Sequence, residues 1–290
     1  MYYLLSLLAG MMISVMVVFN GGLNARAGQA AALVIIHAAG LLFISLVHLI
    51  RGEKPRLKSL PLWLYAGGFI GVVTTIFNNT AFGHISVSAM MALSLLGESV
   101  SGLLADHFGL IGLPVRRFRP EKLWGGLLTL TGIVWMLGDF RPLPVTVSLL
   151  AGVSVLFSRL INGRLARSIG LRASTLCNYL TGLLGALVFF ALAGRGAAWS
   201  LALSGPAYLY LGGSFGAVIV LLSTYIVGKI PSFYMSLAIF IGQMFAGLLL
   251  DMLLMQRFPA QNVIGSIFVL SGLVLNLMQD RALRERNKAG

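Results

Sequence analysis

Glu98 lies about twelve residues into an apolar run, 86–105, and no other acid sits so deep in an apolar run of this chain. An ionisable side chain at the centre of a bilayer costs roughly 2.5–3.5 kcal/mol on insertion scales and marks function by default. Ser94 and Ser101, at i−4 and i+3, share its helix face. Removal from water favours the neutral carboxyl, whereas a cation alongside favours the carboxylate. Glu98 is therefore expected to hold a proton when its site is empty and to yield it to a cationic substrate, the physical core of proton-coupled antiport. The competing reading makes Glu98 a permanently protonated residue bonded to a serine or a backbone carbonyl.

Other polar residues interrupt apolar runs, and in a dry interior each costs several kcal/mol unless it is satisfied. Asn78 and Asn79 occupy one run, Ser223 and Thr224 another; His37 lies in a third, Asn178 and Tyr179 in a fourth. His37 reads either as a second proton site, its ordinary titration falling in the working range, or as a neutral residue pinning two helices. Phe77, Phe82, Tyr179, Tyr225, Phe233 and Tyr234 supply rings for a cation–π box or for plain packing. The expected substrate set around Glu98 is Gln243, Ser94, Ser101, Asn78, Asn79, His37, Tyr179 and Tyr225. Asp106 and Asp251 close apolar runs. An acid at a helix C-terminus is opposed by the macrodipole, so a partner must compensate each, and both read as loop-pinning residues. Metalloprotease, nucleophile-elbow and phosphate-loop signatures are missing. No enzyme activity, metal or cofactor is expected, and any pumping must draw on a gradient.

The elements that position these residues follow from composition. Of 290 residues, 58% are hydrophobic and 10% charged, against about 25% charged in soluble domains. A chain this apolar cannot cover a soluble domain, and a single cysteine, Cys177, excludes a disulfide scaffold. What remains is an all-α polytopic membrane protein. Ten runs suit transmembrane helices: 2–19, 30–50, 62–81, 86–105, 122–138, 143–160, 173–193, 207–227, 232–250 and 260–278. Trp63, Tyr65, Tyr208 and Tyr210 open the third and eighth at the depth of an aromatic belt.

Every Lys and Arg is then expected in a loop or near a segment end. Seventeen of the 21, including Lys54, Arg56, Arg116, Arg119, Arg159, Arg164, Arg167 and Arg172, fall on one side; Arg26, Arg141, Arg195 and Arg257 fall on the other. Cytoplasmic loops concentrate such cations, so both termini are predicted in the cytoplasm. The net charge of +13 is a topology signal and not a nucleic-acid footprint. The first segment lacks a basic n-region and a cleavage site, and reads as a retained helix.

The chain also repeats itself. Asn20-Gly21-Gly22-Leu23 and Gly28 match Asn162-Gly163-Arg164-Leu165 and Gly170. Gly67-Gly68 and Gly71 match Gly212-Gly213 and Gly216, and Gly97-Glu98 with Asp106 match Gly242-Gln243 with Asp251. Two units, 1–141 and 142–290, each hold five segments. An odd number sets the second upside down, an architecture typical of secondary transporters. Gln243, the counterpart of Glu98, cannot titrate.

Trp63-Leu-Tyr-Ala-Gly-Gly-Phe-Ile-Gly71 and Leu103-Leu-Ala-Asp-His-Phe-Gly109 resemble the YdcZ-like family of the drug/metabolite transporter superfamily, over essentially the whole chain. The second half keeps only the Asp of the latter motif, in Asp251-Met-Leu-Leu254. The resemblance implies a carrier for small metabolites or drugs in the bacterial inner membrane. Expected partners are a small polar or cationic substrate, protons and membrane lipid, in a monomer or homodimer. The alternative function is a flippase or carrier for a lipid-linked or amphipathic substrate, with Arg159, Arg164 and Arg167 meeting its head group.

Overall fold

The computed structural model describes residues 1–52, 59–112, 115, 120, 122–137, 140–194, 204–226, 229–230, 232–256 and 258–289. The expected loop cations Lys54, Arg56, Lys58, Arg116, Arg117, Arg119, Arg195 and Arg257 lie outside the described residues, as do Glu53, Glu121 and Asp139. So do the side chains of Lys122, Phe233, Tyr234, Asp280, Arg281, Arg284, Glu285, Arg286 and Lys288.

Ten α-helices run through the described residues: α1 Tyr2–Ala27, α2 Gln29–Arg51, α3 Gly67–Ala81, α4 Val87–Phe108, α5 Lys122–Leu137, α6 Pro142–Ile169, α7 Leu171–Ala193, α8 Leu211–Ile226, α9 Ser232–Met255 and α10 Ala260–Ala289. Short 3-10 turns, Leu62–Tyr65 and Ala207–Tyr210, lead into α3 and α8. Seven stretches (α1, α2, α4, α6, α7, most of α9, and 207–226 through α8) are long and apolar enough to cross a membrane. Leu, Phe, Val and Trp side chains cover much of the outer surface, as expected where lipid is the solvent. The protein is an all-helical polytopic membrane protein.

Helices pack in matching pairs. α1 lies on α9 as α4 lies on α6, α3 on α6 as α1 on α8, and α2 on α8 as α3 on α7; α2 meets α7, and α5 meets α10. Glycine sets these contacts, because in lipid close backbone approach replaces the hydrophobic drive. A Cβ on Gly97 would strike the Leu149 carbonyl, and one on Gly242 the Leu7 carbonyl; Gly152 meets the Ser94 carbonyl and Gly10 that of Ile239. The connections match too. Gly28 between α1 and α2 has φ 76°, ψ 158°, and Gly170 between α6 and α7 has φ 91°, ψ 157°, a region open essentially to glycine alone. Inside, Met90, Met91, Leu93, Ile133, Phe240, Met244 and Val269 form one buried cluster.

The main departure from the expected segments is α6. It continues to Ile169, nine residues past the apolar run, because no proline lies between Pro144 and Gly170, where the helix stops. Arg164 and Arg167 are therefore helix residues and not loop cations, and Arg159, expected near the segment end, lies well inside the helix.

Candidate transport site

Glu98 does not stand alone. Arg159 reaches across from α6 and forms an ion pair with it: Nη1 bonds Oε1, and Nη2 lies 3.5 Å from Oε2. The Gly97 and Gly152 contacts that seat α4 on α6 make this possible, since Gly152 packs directly against the backbone of Ser94 and Glu98. The side chains retain 18% and 23% exposure for Glu98 and Arg159 respectively. The expectation of an unpaired acid is corrected. Its partner was missed because Arg159, at the end of the run 143–160, is 61 residues away in sequence and only the packing of α4 on α6 brings it to Glu98.

The serines do not complete the expected face. Ser101 is buried, and its Oγ donates to the Gly97 carbonyl (2.6 Å) and lies 3.2 Å from that of Glu98, within its own helix. Ser94 is half-buried and offers its carbonyl to Gly152. Gln243 is half-buried on α9, where its carbonyl accepts a 2.9 Å bond from Ser14 of α1.

His37 and Tyr179 meet where α2 crosses α7, with ring centroids 6.2 Å apart. His37 Nδ1 is 2.8 Å from the Leu33 carbonyl; a carbonyl only accepts, so Nδ1 carries hydrogen. Each ring lies over the glycine of the facing helix, His37 over Gly182 and Tyr179 over Gly40. That is the geometry of the helix-pinning reading. Asn78 is half-buried. Asn79 is 4% exposed, and neither its Oδ1 nor its Nδ2 has a partner. Asn24 of α1 lies 3.5 Å from the Asn79 carbonyl, and the Oδ1 of Asn24 is likewise buried and unpartnered. Orphaned buried amides cost about 1–3 kcal/mol each, which makes Asn79 and Asn24 candidates for contact with a bound solute. Tyr225 is 44% exposed on α8, against Tyr2 of α1. Phe77 and Phe82 pack against the central cluster.

Asp251 has the compensation its position demanded. It is 1% exposed, and accepts from the backbone N–H groups of Val87 (2.7 Å) and Ser88 (3.1 Å), from the Ser88 hydroxyl, and from Asn262 (3.1 Å). It thus caps the N-terminus of α4 from the end of α9. At the other end of α4, Arg164 Nη1 holds the Ile111 carbonyl at 3.0 Å and its guanidinium lies 5.3 Å from the Trp63 ring centre. Ile111 adopts φ 55°, a conformation that costs a branched residue about 1–3 kcal/mol and that Arg164 helps to hold. Among the described residues no three His, Cys, Asp or Glu side chains converge as metal ligands.

A family model described as "Putative inner membrane exporter, YdcZ" matches residues 1–135 and 143–275. The chain belongs to the YdcZ family. Membership in this family, within the drug/metabolite transporter superfamily, makes the protein an integral membrane transporter. A solved structure described only as "Crystal structure of protein" aligns over 97% of each chain, with a TM-score of 0.58 at 19% identity, a likeness of fold alone. No curated protein matches the chain.

Proposed function

We propose that this YdcZ-family protein is a proton-coupled secondary transporter that exports a small polar or cationic solute, and that three cations compete for Glu98: the Arg159 guanidinium, a proton and the substrate. The observation that carries the reading is the part-exposed Glu98–Arg159 pair between α4 and α6. With Arg159 in place, the carboxylate is neutralised and α4 is tied to α6, so the empty carrier is held. A proton or a cationic solute on Glu98 releases Arg159 and frees the two helices to move. One carboxylate cannot serve both, which makes the two fluxes an exchange. The side-chain amide of Asn79 and the Oδ1 of Asn24 offer the solute hydrogen bonds that these atoms do not find within the protein.

The architecture proposed with it is ten transmembrane helices in two inverted repeats, 1–141 and 142–290, working by alternating access with both termini in the cytoplasm. Supporting it are the paired helix contacts, the equal turns at Gly28 and Gly170, and family matches that divide between residues 135 and 143. The flippase reading asks for free head-group arginines. Two of the three are engaged, Arg159 by Glu98 and Arg164 by Ile111 and Trp63.

Arg159→Gln tests the proposal. In proteoliposomes it is expected to keep downhill amine counterflow while losing accumulation against a gradient, because the empty carrier is no longer held. Full uphill accumulation by this variant would remove the ion pair from the mechanism.

A further inference from the structure

The helix ends around Asp251 enclose a cavity of about 760 Å³, which reaches His84, Arg141, Gln261 and Asn262. Beside it a second depression, about 790 Å³, runs down the α5–α10 seam and is lined by Leu127, Leu130, Val134, Trp135 and Ile264. Gln261 borders both, and its Nε2 donates to the Trp135 carbonyl at 2.7 Å. The two adjoin at Gln261, the one offering a polar head and the other an apolar trough.

Charge decides what suits the head. Both oxygens of Asp251 are engaged by α4 and Asn262, and the residue is sealed from solvent. Arg141 and His84 are exposed, so among the described residues the accessible ionisable groups at the head are basic. The trough follows Leu127, Leu130, Val134 and Trp135, spaced to one face of α5, for about 12 Å at 1.5 Å per residue. All four side chains are exposed, flanking the surface by which the helix packs on α10. Arg141 lies just past the end of α5, at the N-cap of α6, the level at which head groups begin.

We infer that this feature is a binding site for an anionic phospholipid of the surrounding bilayer, its head group at Arg141 and one acyl chain along the α5–α10 trough. The lipid is bound there and not carried. The site is separate from Glu98 and does not rest on the proposed coupling.

Trp135 reports on the trough. With Trp63, Trp124 and Trp199 changed to Phe, the full-length protein is reconstituted in bilayers containing chain-brominated phosphatidylglycerol or phosphatidylcholine at equal mole fraction. Brominated phosphatidylglycerol is expected to quench Trp135 with about fivefold higher apparent affinity, the gain of one cation beside an anionic lipid. High salt is expected to shrink the ratio, Arg141→Gln to bring it to about one, and Arg141→Lys to preserve it. Equal quenching by the two lipids would overturn the site and leave ordinary boundary lipid. A preference untouched by Arg141→Gln would overturn it as well. Quenching by neither lipid would also overturn it, since protein, such as a second copy of the chain, would then cover the trough.

Discussion

At the scale of single residues, the central feature is a carboxylate that meets a guanidinium inside a helical membrane protein. Removing one partner of a buried pair strands the other, whereas removing both is far milder. With about a fifth of each side chain exposed, Arg159→Gln is expected to lower unfolding stability by about 2 kcal/mol, between the exposed and buried limits. The Glu98→Gln/Arg159→Gln double variant is expected to regain much of that loss. Unfolding in detergent measures both, and strictly additive losses would contradict direct coupling. Glu98 was legible in the sequence because depth in an apolar run is a local property. Its partner was not. Arg159 lies 61 residues away, and only the packing of α4 on α6 brings the two together. The hydroxyl of Ser101 shared a face with Glu98 on paper, yet its bond goes to its own backbone, a choice that spacing cannot reveal.

Elements are held at their ends as much as along their faces. Asp251 supplies acceptors to two backbone N–H groups of α4 that have no intrahelical partner. Asp251→Ala is expected to cost about 2–4 kcal/mol, since it removes several hydrogen bonds to a charged group. Ser88→Ala, which leaves the backbone bonds in place, is expected to cost about 1 kcal/mol. Thermal unfolding separates the two, and equal small effects would argue that α4 needs no such cap. Along the faces, Gly152→Val sets a branched side chain against the Ser94 carbonyl. It is expected to part α4 from α6, and with them Glu98 from Arg159; native stability in that variant would contradict the glycine account. The macrodipole argument marked Asp251 as needing a partner, but which helix it would cap depended on the tertiary arrangement. Segment positions were largely legible from hydropathy. The length of α6 was not, because its last turns are polar and hydropathy stops where the helix does not.

For the whole molecule, glycine contacts seat α1 on α9 and α4 on α6, and in the proposed architecture these pairings are the grip between the two halves. The repeat spacing of these glycines was readable in the sequence, whereas the cavity among the helix ends and the trough beside it were not, because loops and helix termini from four elements build them. If the halves are inverted, labelling of single cysteines in a Cys177→Ser background is expected to place Arg141 outside and the C-terminal tail inside. Labelling of both from one side would exclude the proposed topology. The most direct test of the account is solute-driven proton flux in proteoliposomes, read by a pH-sensitive dye in the lumen, with amines and guanidines as candidate substrates and Glu98→Gln beside the wild type, because exchange of one proton for one monovalent cation at a single carboxylate moves no net charge. Wild-type proton flux that reverses with the solute gradient and vanishes in Glu98→Gln is the expected result; undiminished solute-driven proton flux in Glu98→Gln would contradict the assignment of coupling to this carboxylate.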